Sequence, residues 1–250
     1  MNNAAPGPDA ESSLIEHLVE LRLRLVRALM GVGVALLALM PFTRWLYDTL
    51  AAPLVARLPE GQHFIALNPA GAFFAPLKLT FFVALFVAMP WVLYQAWAFV
   101  APGLYQREKK LALPLLASSV ALFYAGCAFA YFVVLPSVFG FLVKFSPVAV
   151  AITPDANAYL DFVVVIFLAF GASFELPVAL VILVLLGWVT PKQLAEARGY
   201  AIVGIFALAA VITPPDVVSQ LLLAVPMCGL YELGILAAKW VGPKPADPAT

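Results

Sequence analysis

The sequence predicts an all-α polytopic membrane protein, a concave bundle of six transmembrane helices whose fifth and sixth members are short. Three observations predict it. First, the chain of 250 residues is 64% hydrophobic and 11% charged, with a mean hydropathy of +1.00. A soluble domain has about 45–50% apolar and about 25% charged residues, so one aqueous globule cannot enclose this much apolar surface. Second, the apolar residues gather into runs of helical length, for which lipid is the natural solvent. Third, prolines fall inside those runs, at Pro76, Pro90, Pro114, Pro177 and Pro226. Each removes an N–H and bends its helix, and a set of bent helices curves into a cup.

The six spans are expected at 23–42, 73–100, 111–135, 159–188, 200–212 and 217–240, within one domain of 13–240. Residues 1–12 are polar and expected to be disordered, and they lack the cationic start of a cleavable signal peptide. The tail, 241–250, is likewise expected to be disordered. The second and fourth spans exceed the ~20 residues a straight crossing needs, so they tilt or bend. The fifth is too short for a full crossing, and "TPPD" at 213–216 ties it to the sixth as a hairpin beside which the bilayer thins. Orientation follows from the basic residues. Arg22, Arg24, Arg27, Arg107, Lys109, Lys110, Lys192, Arg198, Lys239 and Lys244 fall on one side. Arg44, Arg57 and Lys144 fall on the other, and Lys78 lies inside the second span. Both termini are therefore expected to be cytoplasmic.

The same inventory excludes several functions. Formal net charge is zero, which removes a basic nucleic-acid surface. Cys127 and Cys228 lie in apolar runs and read as packing residues, and His17 and His63 lie outside them. No HExxH, CxxC, Walker A or GxGxxG pattern is present, so no metal, cofactor or enzyme activity is expected.

Polar residues at three levels carry the functional reading. In "SSLIEHLVELRLRLVRAL" (13–30), Ser13 and Glu16 fit a capping box, and Glu20 can pair with Arg24 one turn on. The plain reading is an amphipathic anchor lying in the interface; an acidic group there also suits a cationic peptide. In "YQAWAFVAPGLYQREKK" (94–110), Tyr94, Trp97, Phe99 and Tyr105 read as an aromatic belt, and Glu108 as a surface ion-pair residue. Glu20 and Glu108 share one side of the membrane, and two carboxylates there suit a pair of arginines. Glu175 lies mid-span, where a carboxylate costs roughly 2.5–3.5 kcal/mol on insertion scales. Pro177 frees the Ser173 carbonyl at the same depth. Such a group faces a cavity or a partner, or makes a structural interhelical bond. Asp216 is placed to cap the sixth helix, and Gln220, one turn on, seeks a polar partner that can be another chain.

Taken together, "HLVELRLRL" (17–25), "APL" (52–54), "QAWAFVAPGLY" (95–105) with "EKK" (108–110), "FAYFVVLP" (129–136), "FGASFELPV" (170–178) and "TPPDVVSQ" (213–220) resemble the TatC family. These are the multispanning receptors of the twin-arginine protein translocase. The resemblance implies a glove-like fold in a bacterial cytoplasmic membrane. It implies binding of twin-arginine signal peptides of folded cargo, with Glu20 and Glu108 on the arginines and Arg22 and Phe99 in the same surface. It implies self-association and TatA- and TatB-type single-span partners, met by Glu175 in the concave face and by the side carrying Asp216 and Gln220. Pro53, in the first periplasmic loop, matches a position important for activity. Export would be driven by the proton-motive force. The competing reading is a proton-coupled small-molecule transporter using Glu175. It wants an internal repeat, and none is visible. An intramembrane hydrolase would want a nucleophile and base at depth, and neither histidine lies in a span.

Overall fold

A computed structural model describes residues 8–55, 69–100, 112–145, 155–212 and 217–241, and all of its regular structure is helical. The first span is α1 (Pro8–Leu39), far longer than the expected 23–42. The amphipathic stretch is thus the continuation of the span and not a separate helix in the interface. A 3₁₀ turn, Met40–Phe42, follows at Pro41, whose missing N–H ends the α ladder. Thr43 Oγ1 donates to Met40 O at 2.7 Å across this turn. The chain then forms α2 (Thr43–Val55) where a loop was expected. Pro53 therefore lies in a helix, a correction to its reading as a loop residue; its side chain is outside the described set.

α3 (Pro69–Val100) is the second span and contains Pro76 and Pro90. Pro90 frees the carbonyl of Phe86, and the Tyr124 hydroxyl donates to it at 3.0 Å. A neighbouring helix thus supplies the bond that proline removes. The third span is longer than the expected 111–135. It comprises α4 (Ala112–Phe129), a π segment (Ala130–Val134) and α5 (Leu135–Phe145). Pro136, at the head of α5, cannot donate to Phe132, so the ladder slips to the wider register. Ser137 Oγ takes up the Val133 carbonyl at 2.6 Å.

The fourth span starts at the Asp155 N-cap, whose carboxylate accepts from Ala158 N at 3.1 Å. It is two helices, α6 (Ala156–Phe174) and α7 (Leu176–Leu185), joined at Glu175. It closes at Gly187, whose φ of +72° only glycine adopts without strain. Next come α8 (Pro191–Glu196), opened by a Thr190/Gln193 capping box, and α9 (Arg198–Ile212). α9 has 15 residues, about 22 Å of rise against a hydrocarbon core of about 30 Å, so the fifth helix is short as expected. The sixth is not. α10 (Val217–Val241) has 25 residues and is long enough to cross.

Helix neighbours form an open series. α1 packs chiefly on α3, α3 on α4 and α6, α7 on α10, and α10 on α9. The main core lies in the second half of the chain, around Phe170, Ile166, Val134, Val138, Leu223 and Ile235. α4 and α6 approach closely because Gly126 and Gly171 have no side chain there. A Cβ on Gly126 would stand 2.6 Å from Phe170 O, and one on Gly171 2.6 Å from the Phe123 ring.

Candidate functional site

Two polar sites emerge. The first is where the N-terminal half of α1 crosses the end of α3. His17 stacks on Phe99, ring centroids 4.3 Å apart and planes at 25°. Glu20, one turn on, is half-buried and pairs with Arg24, Nη2 to Oε1 at 3.2 Å, as the spacing predicts. Further along, Trp91 Nε1 donates to Arg27 O at 2.9 Å, and the Trp91 ring fills the space a Cβ on Gly31 would occupy. Glu20 and Phe99 are thus brought to one end of the α1–α3 pair, linked through His17. Arg22 is exposed and, two residues from Glu20, points away around the helix. Glu108 lies outside the described residues, so its place beside Glu20 stays an expectation.

The second site surrounds Glu175. The break between α6 and α7 places this residue at the end of one helix and the start of the next. Its carboxyl faces a cavity of about 180 Å³ lined by Leu93, Ala96, Trp97, Ser119, Val178 and Ile182. Ser119 is its one polar neighbour in this lining, and accepts from Trp97 Nε1 at 3.2 Å. Glu175 Oε1 is shielded from solvent and has no hydrogen-bond partner. Trp97 is only 6% exposed, so it is a wall of this cavity and not part of an aromatic belt. The sequence reading missed it because a tryptophan near a span end fits both environments; the Trp97–Ser119 contact joins the consecutive helices α3 and α4 and leaves no mark in the local pattern of either.

Among the described residues, two ion pairs join charges of different helices. Lys78 pairs with Asp161 between α3 and α6. Arg198 grips Glu232 with two bonds, Nε to Oε1 at 2.5 Å and Nη2 to Oε2 at 2.9 Å. Of Asp161, Glu175 and Glu232, Glu175 alone has no ion pair among the described residues. Glu232 was legible only as a carboxylate in the last apolar run, opposite a basic loop. Gln220 Nε2 donates to Phe206 O at 3.1 Å, so its polar need is met inside the α9–α10 hairpin. Asp216 lies outside the described residues. Among the described residues no three metal-ligating side chains cluster.

This arrangement suits recognition. It offers a half-buried acid with an aromatic stack at one end and, at mid-span, a carboxyl with one oxygen unsatisfied. Among the described residues, five helices are long and apolar enough to cross a membrane, and α9 is a shorter apolar sixth. The family model described as Sec-independent protein translocase protein (TatC) matches residues 16–226. The chain is 49% identical over 241 residues to the TatC protein of Haemophilus influenzae, covering 96% of this chain and 94% of that one. It is 52% identical over 232 residues to that of Azotobacter chroococcum mcd 1, covering 93% and 91%. A crystal structure described as the twin-arginine translocase receptor TatC superposes with a TM-score of 0.80 at 38% identity, over 90% of this chain and 99% of the other. With family match, relatives and fold all in agreement, the chain belongs to the TatC family of Sec-independent protein translocase proteins.

Proposed function

We propose that this chain is the receptor subunit of a twin-arginine translocase and that it works by binding, not by catalysis. Its end of the α1–α3 pair faces the cytoplasm of a bacterial inner membrane, with both termini on that side. There Glu20, with Glu108, receives the guanidinium groups of a twin-arginine signal peptide, and Phe99 and Arg22 complete the surface. Arginine suits this site because its planar fork meets a carboxylate bidentately, which lysine cannot do. Glu175 meets a polar group of a TatA- or TatB-type single-span partner inside the bilayer. Asp216 and Gln220 mark a second docking side on the hairpin, Pro53 shapes the opposite end, and copies of the chain self-associate. The proton-motive force drives export of the folded cargo. The transporter alternative loses its footing with the family, which is a protein translocase.

The observation that carries the reading is the pair of sites itself: a half-buried Glu20 beside the His17–Phe99 stack, and a Glu175 oxygen without a partner in a cavity. The test is capture of purified protein on an arginine-pair and on a lysine-pair signal peptide. The arginine peptide is expected to retain the protein and the lysine peptide to lose it. A Glu20→Ala, Glu108→Ala double variant that still binds the arginine peptide normally overturns the assignment. Glu175→Ala is expected to insert normally, since it removes an expensive group, and to abolish export in cells. Failure of that variant to insert would make Glu175 a structural residue instead.

A further inference from the structure

Two polar atoms on the facing stripes of α1 and α3 lack partners, and they are complementary. Arg24 Nε is a donor without an acceptor, Gln95 Oε1 is an acceptor without a donor, and both are shielded from solvent. Gln95 is only 3% exposed, and a buried amide oxygen left unpaired calls for a reason. Both lie between the same two contacts of the α1–α3 pair. His17 packs on Phe99 at one level, and Gly31 on Trp91 at another. Arg24 lies midway between His17 and Gly31, a heptad from each and on the same helix face. Gln95 lies midway between Trp91 and Phe99, about one turn from each. In an antiparallel pair, that sets Arg24 and Gln95 within the same interval of the α1–α3 contact. The side chain of a helical residue leans toward the N-terminus, which carries Arg24 toward Glu20, and Nη2 is held there by Oε1 at 3.2 Å. The carboxylate assigned above to a ligand's arginine therefore already holds an arginine of its own chain.

We propose that Arg24 is a built-in surrogate for the ligand's guanidinium, occupying Glu20 in the empty receptor and handed to Gln95 when a signal peptide takes its place. The proposal rests on the reading of Glu20 as an arginine-binding group. In the empty state the Arg24–Glu20 pair is made, and Arg24 Nε and Gln95 Oε1 go without partners. In the loaded state a peptide guanidinium sits on Glu20, and Arg24 Nε–H donates to Gln95 Oε1. A partly exposed i, i+4 pair is weak, and the new buried bond offsets only part of its loss, so displacing Arg24 still takes a small share of the peptide's binding energy. Because an incoming cation must displace an arginine, the exchange selects for a forked donor over an ammonium. Arg24 and Gln95 are then specificity-determining residues that never touch the peptide.

The experiment is titration of full-length protein in nanodiscs with a fluorescent arginine-pair signal peptide and its lysine-pair counterpart. Gel filtration checks that each variant is folded, and Arg24→Gln stands in if Arg24→Met fails. Glu20→Gln is expected to weaken binding of the arginine peptide. Arg24→Met is expected to tighten it by up to about twofold, the worth of a partly exposed i, i+4 pair, and to narrow the preference over lysine. Gln95→Leu is expected to weaken binding in the wild-type background and to have no effect in the Arg24→Met background. If Glu20→Gln changes nothing, the reading of Glu20 fails and takes the surrogate with it. If Glu20→Gln weakens binding while Arg24→Met leaves it unchanged or weaker, the reading of Glu20 stands and the surrogate is overturned. A Gln95→Leu effect that persists without Arg24 also overturns it, since Gln95 would then act on the peptide directly.

Discussion

The two ends of the chain are held to the molecule in different ways. In the 18-residue apolar window of the first span only 11% of the residues are buried; in that of the fourth span, 50% are. α1 rests on α3 through discrete contacts: the His17–Phe99 stack, the Trp91–Arg27 bond and the close fit at Gly31. The second half is a continuous apolar core in which α6, α7, α9 and α10 share Phe170, Ile166, Leu223 and Ile235. It is fastened at its edge by Arg198–Glu232 and Tyr231–Leu194. The difference teaches where each task can reside. A recognition surface needs side chains able to exchange partners, and α1 supplies them. A scaffold that holds a carboxyl without an ion pair at depth needs neighbours that do not give way, and the α6–α10 core supplies those.

Three substitutions bear on this comparison. The largest effect is expected from Phe170→Ala in the core. The ring is fully buried, and the void left by such a truncation costs about 3–5 kcal/mol; thermal unfolding in detergent should show a markedly lower midpoint. An unchanged midpoint would mean that the core is loosely packed and the contrast false. Gly126→Val comes next. Its side chain would press on the Phe170 backbone, and overpacking of this kind costs about 1–3 kcal/mol. The α4–α6 contact should loosen, seen as faster amide exchange in both helices. Trp91→Phe should do least, since it removes one hydrogen bond, worth about 0.5–1.5 kcal/mol, and keeps most of the ring. Its effect should stay local, as faster exchange in α1 with α10 unchanged. Equal acceleration in α10 would show the two regions to be a single cooperative unit.

Much of this was legible in the sequence, and the failures share a cause. The all-helical class and the count of about six apolar helices followed from composition and apolar runs, because lipid demands that backbone polar groups be satisfied within helices. The short fifth helix followed from its length, and the Glu20–Arg24 pair from its spacing. Span ends were less legible. α1 extends to Pro8 and α2 replaces a loop, since amphipathic and membrane-buried turns of one helix differ in composition but not in backbone. The break at Glu175 and the π segment before Pro136 follow from proline positions, yet the same prolines merely bend helices elsewhere; what decides is whether a neighbour supplies the missing bond, as Tyr124 does for Phe86. Pairings such as Lys78–Asp161 and Trp97–Ser119 join different helices and leave no trace in local pattern.

The discontinuity of the fourth span has a mechanical meaning. α6 is clasped to α4 where Gly126 and Gly171 bring their backbones together, and α7 is bedded against α10. The two halves thus have different chief neighbours, and the residue between them is Glu175. Any change of angle between the two helices would pass through this residue. The joint between the two helices and the polar group lining the cavity are one amino acid, so any change of angle at the joint would also change what that carboxyl meets.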